Sequence, residues 1–189
     1  MKNERMTLRD IAGFCPEDAI WKMMADVSAF LLKDGMEHVL TPDSIMIDGN
    51  MFMVTKEREA LNEFIAPEQH DEQSTGVAQM VWSLGAVAYY TATGHVVFGG
   101  QGGSYQKEHP SVALPILPKD FQTLTPVLQR CLCYAPEGRF NLKELYESSQ
   151  KGFVDCEKQQ CNRNVETAKK QEKVVNNIVE KWPEEMIEV

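Results

Sequence analysis

Phe64-Ile65-Ala66-Pro67-Glu68, Val81-Trp82-Ser83-Leu84-Gly85 and, much later, Ala135-Pro136-Glu137-Gly138-Arg139 carry most of what this chain says about its fold. The second stretch lies in a run from Gln79 to Thr93 whose apolar residues Met80, Val81, Trp82, Leu84, Val87, Ala88 and Tyr89 cover nearly every face. That pattern predicts a helix buried on all sides, closed by Gly94. Upstream, Thr7 to Phe14 reads as a short helix with Thr7 as N-cap and Asp10 completing a capping box. After Pro16-Glu17-Asp18, the residues Ile20, Met24, Val27 and Leu31 recur at helical spacing up to Gly35, a C-cap. Ser44 to Ile47 and Met51 to Val54 flank Asp48-Gly49-Asn50, a strong hairpin signal. Downstream, Leu124 to Tyr134 reads as an apolar helix, and Asn141 with Glu144 caps another through Leu142, Leu145 and Tyr146. The expected class is therefore mainly α with a short β-hairpin.

Composition narrows the function. With 189 residues, 43% of them hydrophobic and 25% charged, the chain suits one domain with a tail and a continuous core. Nineteen basic residues against 28 acidic ones give a net charge of -9, which opposes binding to a phosphate backbone, so nucleic acid is not an expected partner. No run of 18 apolar residues occurs and Met1-Lys2-Asn3-Glu4-Arg5 leads into polar sequence, so no membrane partner is expected and the location is expected to be cytoplasmic. Cys15, Cys131, Cys133, Cys156 and Cys161 are odd in number and lack knuckle spacing, which favours free thiols over disulfides or a metal site. The cluster Gly99-Gly100-Gln101-Gly102-Gly103 lacks the flanking strand and Lys-Ser or Lys-Thr pair of a phosphate loop and reads as a mobile loop.

Taken in order, the three opening stretches resemble the C-terminal lobe of a protein kinase, over roughly Thr7 to Gln150. The resemblance implies a buried ion pair between Glu68 of the Ala-Pro-Glu signature and Arg139. Leu40-Thr41-Pro42-Asp43-Ser44-Ile45-Met46-Ile47 resembles the end of the kinase catalytic loop, H-R-D-L-K-P-E-N-I-L-L. In that alignment the catalytic aspartate falls on Val39, the phosphate-contacting lysine on Thr41 and the metal-binding asparagine on Ser44. The D-F-G metal carboxylate falls on Lys56, a cation that repels magnesium. The aspartate that normally starts the central helix and holds the loop is Met80, read as unable to accept its hydrogen bonds. No nucleotide lobe with its glycine-rich turn and V-A-I-K lysine precedes the first long helix.

These degenerate positions imply no catalytic residue, no metal and no cofactor. They leave a kinase-like, lobe-only scaffold or adaptor, similar in layout to the kinase non-catalytic C-lobe domain of certain actin-regulating proteins. That family binds a basic peptide segment. Here the span from Lys56 to Glu72 holds two basic residues against six acidic ones. With Glu68 assigned to Arg139, the acids Glu57, Glu59, Glu63, Asp71 and Glu72 suit either a rim for a basic peptide or helix, or a solvated loop. The alternative is residual nucleotide binding or phosphotransfer, completed by a nucleotide lobe from another chain. His38 falls on the arginine position of the loop and reads as a packed or exposed loop histidine, with no carboxylate orienter in the motif. A soft boundary near Gly152 separates residues 1–152 from a polar tail, 153–189, with a sparse stripe at Val165, Ala168, Val175, Ile178, Val179 and Trp182. That tail suits docking or homo-oligomer formation.

Overall fold

The computed structural model describes residues 6–38, 40–55, 61–71 and 76–179, the side chains of His70, Asp71 and 172–179 excepted. Six α-helices and a two-stranded antiparallel sheet are seen among these residues: α1 (Leu8–Ile11), α2 (Glu17–Asp34), β1 (Ile45–Asp48), β2 (Met51–Val54), α3 (Val77–Thr93), α4 (Gly102–Glu108), α5 (Thr125–Cys131) and α6 (Leu142–Val179). The chain divides into two compact units, Met1–Phe153 and Val154–Val189. No described helix is long and apolar enough to cross a membrane.

Local chemistry explains the ends of these elements. The Thr7 N–H donates to Asp10 Oδ2 at 2.7 Å, which starts α1. The helix stops at Ile11, three residues short of the expected end, because Ala12 turns away to an extended conformation. In α2, Gly35 adopts a left-handed C-cap and its N–H returns to the Leu31 carbonyl. The Asn141 side chain accepts from Glu144 N at 2.9 Å while the Glu144 carboxylate accepts from Asn141 N at 3.2 Å, a reciprocal cap for α6. The helix expected to run to Tyr134 ends at Cys131, after which the chain turns its carbonyls to the contacts described below.

The core of the first unit is built around α3, in which Val81, Trp82, Leu84, Ala86, Val87 and Ala88 are all fully buried. The indole N–H of Trp82 is satisfied across elements. Trp82 Nε1 donates to Gln106 Oε1 at 2.8 Å, and Gln106 Nε2 donates to the Leu132 carbonyl at 2.7 Å, so α3, α4 and the end of α5 share one buried chain of hydrogen bonds. Burying the amide without both bonds would cost about 1–3 kcal/mol. The helix α2 buries Ile20, Trp21, Met24, Val27 and Leu31 on one face. On its other side Asp26 accepts from Lys22 at 2.9 Å and from Phe52 N at 3.1 Å, which fastens β2 to the helix.

One glycine cluster corrects the sequence reading. The Gly99–Gly103 cluster is a 3-10 turn (Phe98–Gly100) running into α4, with Gly102 and Gly103 buried. A Cβ on Gly102 would collide with the Glu63 carbonyl, and one on Gly103 with the Ile65 carbonyl. These residues are glycine so that two backbones can touch. Similarly, α6 runs unbroken through Gly152, where a Cβ would strike the Trp21 indole.

Candidate functional site

Two neighbouring pieces of backbone form the candidate site: the stretch between α2 and β1, described at His38 and over 40–44, and the segment 61–71 that precedes α3. Between them lies a groove of about 280 Å³, lined in part by Glu37, His38, Thr41, Phe64, Gln69 and Ser83. A larger groove of about 600 Å³ lies between α2 and the hairpin and is lined mainly by apolar groups, including Phe30, Met46, Met51 and Met53. The first groove is the one where polar side chains converge.

The turn is closed on itself. Thr41 N donates to Ser44 Oγ at 2.9 Å, Ser44 N to Thr41 Oγ1 at 3.2 Å and Ser44 Oγ to the Thr41 carbonyl at 3.0 Å. Thr41 is 3% and Ser44 1% exposed, so both hydroxyls are withdrawn from the groove's solvent. The Ser44 carbonyl accepts from Thr55 N at 2.7 Å and from Thr55 Oγ1 at 3.1 Å, tying the turn to the end of β2. Asp43, the carboxylate of the turn, faces outward and takes both fork donors of Arg9 at 2.6 Å. That bond and the charge of Asp43 hold the Arg9 guanidinium above its ordinary pKa.

Two features of the turn depart from the sequence reading. Met80 does accept a hydrogen bond: its thioether receives the His38 N–H at 3.3 Å, so a soft acceptor ties the turn to α3. His38 does have a carboxylate beside it. Its Nε2 lies 2.7 Å from Asp34 Oδ2, one helical turn back, and its ring meets Phe30 edge to face with centroids 5.1 Å apart. An Asp in the last turn of a helix followed by His four residues on was the available signal. An oriented histidine still needs a nucleophile or substrate proton to act on. Ser83 Oγ donates to the Phe64 carbonyl at 2.6 Å and the Thr41 hydroxyl is engaged by Ser44, so both lining hydroxyls are occupied.

Segment 61–71 is held from three sides. Its 3-10 turns (Asn62–Phe64 and Pro67–Asp71) rest on the α4 glycines and on Ser83 of α3, and Phe64 packs edge to face on Tyr90 at 5.7 Å. The third side is Arg139, whose side chain is fully buried while that of Glu68 is 12% exposed. The guanidinium meets Glu68 Oε1 at 2.6 Å and Oε2 at 2.9 Å. Its remaining donors reach the carbonyls of Cys133 at 2.8 Å, Ala78 at 3.0 Å and Tyr134 at 2.8 Å. All five N–H donors of the fork are therefore used, the condition under which a buried cation is tolerated.

Of the candidate acidic rim, Glu63 lies in the first turn of this segment and is half-buried. Asp71 ends the second turn. Glu57, Glu59 and Glu72 lie outside the described residues, as do Val39 and Lys56. Among the described residues no group of three or more His, Cys, Asp or Glu side chains is placed to hold a metal ion. Burial pushes the Cys131 thiol up to about 12, and burial followed by the charge of Asp18 pushes Cys15 up to about 11, which makes both poor nucleophiles near neutrality. No protein-family model matches the chain, and no curated protein does.

Proposed function

We propose that this chain is a catalytically inactive protein-interaction module, a scaffold or adaptor built on a helical lobe like the C-terminal lobe of a protein kinase. The observation that carries the reading is the Thr41–Ser44 turn. The two positions that would contact phosphate and metal carry buried hydroxyls, each bonded to the backbone of the other residue, and the Ser44 carbonyl is held by Thr55. Phosphoryl transfer depends on placed cations and carboxylates, and this turn offers neither toward the groove. The buried Arg139 and Glu68 pair supports the reading as well, because it ties segment 61–71 to the body of the lobe. A rigid, acid-bearing segment beside a groove suits a basic peptide or helix, recognised by its charge and by one side chain entering the groove.

Calorimetric and thermal-shift titrations of the full chain test the reading, first with ATP, with and without magnesium, and then with Arg- and Lys-rich peptides. The expected outcome is no response to millimolar nucleotide, with peptide binding that weakens as salt rises and is reduced by Glu59→Lys with Glu63→Lys. A magnesium-dependent nucleotide shift would support the alternative, phosphotransfer chemistry completed by a nucleotide lobe in trans. Peptide capture unchanged in the folded double variant would remove the acidic rim from the reading.

A further inference from the structure

In the second compact unit, every residue from 157 to 171 is exposed along one helix. A lone helix in water is marginal, and in proteins most helical stability comes from a packed face. The sequence of this stretch carries a face suited to packing. Val154, Cys161, Ala168 and Val175 recur every seven residues, and a second line four residues further along holds Lys158, Val165, Glu172 and Val179. Together they form the a and d seam of a heptad, with the first line wholly apolar and the second alternating a charge with valine. Val154 is 40% and Val165 46% exposed, so the seam is open at both.

We infer that this seam pairs with the same seam of a second copy of the chain, and that the two helices run antiparallel. The flanks favour a like partner: of the eight residues that border the seam from 155 to 178 only Asp155, Glu157 and Lys169 are charged, and each falls opposite an uncharged flank residue of the other copy, so two copies meet without facing rows of like charge. The two seam charges set the direction. Parallel copies place each second-line residue against its own equivalent, Lys158 on Lys158 and Glu172 on Glu172, both like-charged and partly desolvated. An antiparallel pair with its two-fold axis between residues 166 and 167 sets Val165 against Ala168. It also brings Lys158 of each copy opposite Val175 and within one turn of Glu172 of the other. Each dimer then gains two ion pairs where the parallel arrangement has two repulsions, as an isologous interface requires.

Sedimentation equilibrium on the full chain, from low to high micromolar, tests this. A mass of twice 21.4 kDa is expected at the upper end, and Val165→Glu should return it to one chain. Lys158→Glu should raise the dissociation constant about tenfold by placing glutamate beside glutamate, and adding Glu172→Lys should restore it. In a parallel dimer neither charge change matters, because like already faces like. A single-chain mass throughout, or a dimer indifferent to Val165→Glu, overturns the inference; a dimer lost with Val165→Glu but unmoved by Lys158→Glu overturns its antiparallel direction.

Discussion

The Arg139 and Glu68 pair and the Thr41–Ser44 turn are both buried polar structures in the first unit, yet they are built on opposite plans. The pair joins residues 71 apart in sequence and involves a full charge on each side. The Thr41–Ser44 bonds join residues three apart through neutral groups. A buried charge that loses its partner has no cheap way to relax, whereas a local turn can admit water or re-form. The difference shows where the fold depends most on a single contact: at segment 61–71, held from a distance, rather than at the turn, which holds itself.

Arg139→Ala strikes this contrast hardest. It should lower unfolding free energy by about 3–5 kcal/mol in urea titrations, since Glu68 is left buried without its cation. A change near zero would mean the pair does not brace the segment, and would remove its support from the kinase-lobe reading. Next in size is Gly103→Ala, expected to destabilise by about 3 kcal/mol, the upper end for overpacking, because the new methyl meets the Ile65 carbonyl, a rigid backbone atom. Gly99 is the control: it has a positive φ of 67° but nothing within 4 Å of a built Cβ, so Gly99→Ala carries only the left-handed strain of about 1–2 kcal/mol. Equal effects at the two glycines would indicate that α4 does not press on segment 61–71 as described.

Ser44→Ala breaks the other side of the comparison. It orphans the Thr41 N–H in a site that water can enter only after local opening, and about 1–2 kcal/mol is expected. A loss equal to that of Arg139→Ala would mean that the turn matters to the fold no less than the brace does. Smallest near neutrality is the contribution of the buried thiols. Their folded pKa values lie above the ordinary 9.0, so their share of stability is complete below pH 9 and is lost as pH rises toward about 11 for Cys15 and about 12 for Cys131. Native-state thiol titration at pH 8, at a concentration low enough to keep the chain single, should therefore modify the exposed Cys161 rapidly and leave Cys15 and Cys131 until the chain unfolds. Rapid native modification of Cys131 would contradict its place beneath α3.

Much of the fold is readable in the sequence because its signals are local. A capping box needs residues three apart, as in Thr7 with Asp10 and Asn141 with Glu144. A hairpin needs a turn such as Asp48-Gly49-Asn50, and a helix buried all round is announced by its own run of apolar residues. The class that these signals define, mainly helical with one small hairpin, is the class observed. The candidate site is harder to read. Thr41 and Ser44 stand out through the resemblance, but nothing in their spacing shows that they bond to each other and close the turn.

Sequence and structure part where meaning depends on what lies across the fold. Glycine is ambiguous in sequence, since the missing side chain serves flexibility in one setting and close packing in another, and only the Glu63 and Ile65 carbonyls resolve it at Gly102 and Gly103. Methionine at position 80 reads in sequence as unable to accept a hydrogen bond, and the His38 N–H aimed at its sulfur reverses that. Segment patterns, caps and turns are written in the chain because they depend on neighbours a few residues away. The path from Trp82 through Gln106 to Leu132, the hold on segment 61–71 and the groove beside it come from packing. Each is a meeting of groups from distant segments whose hydrogen bonds and volumes can be satisfied only after the helices have come together.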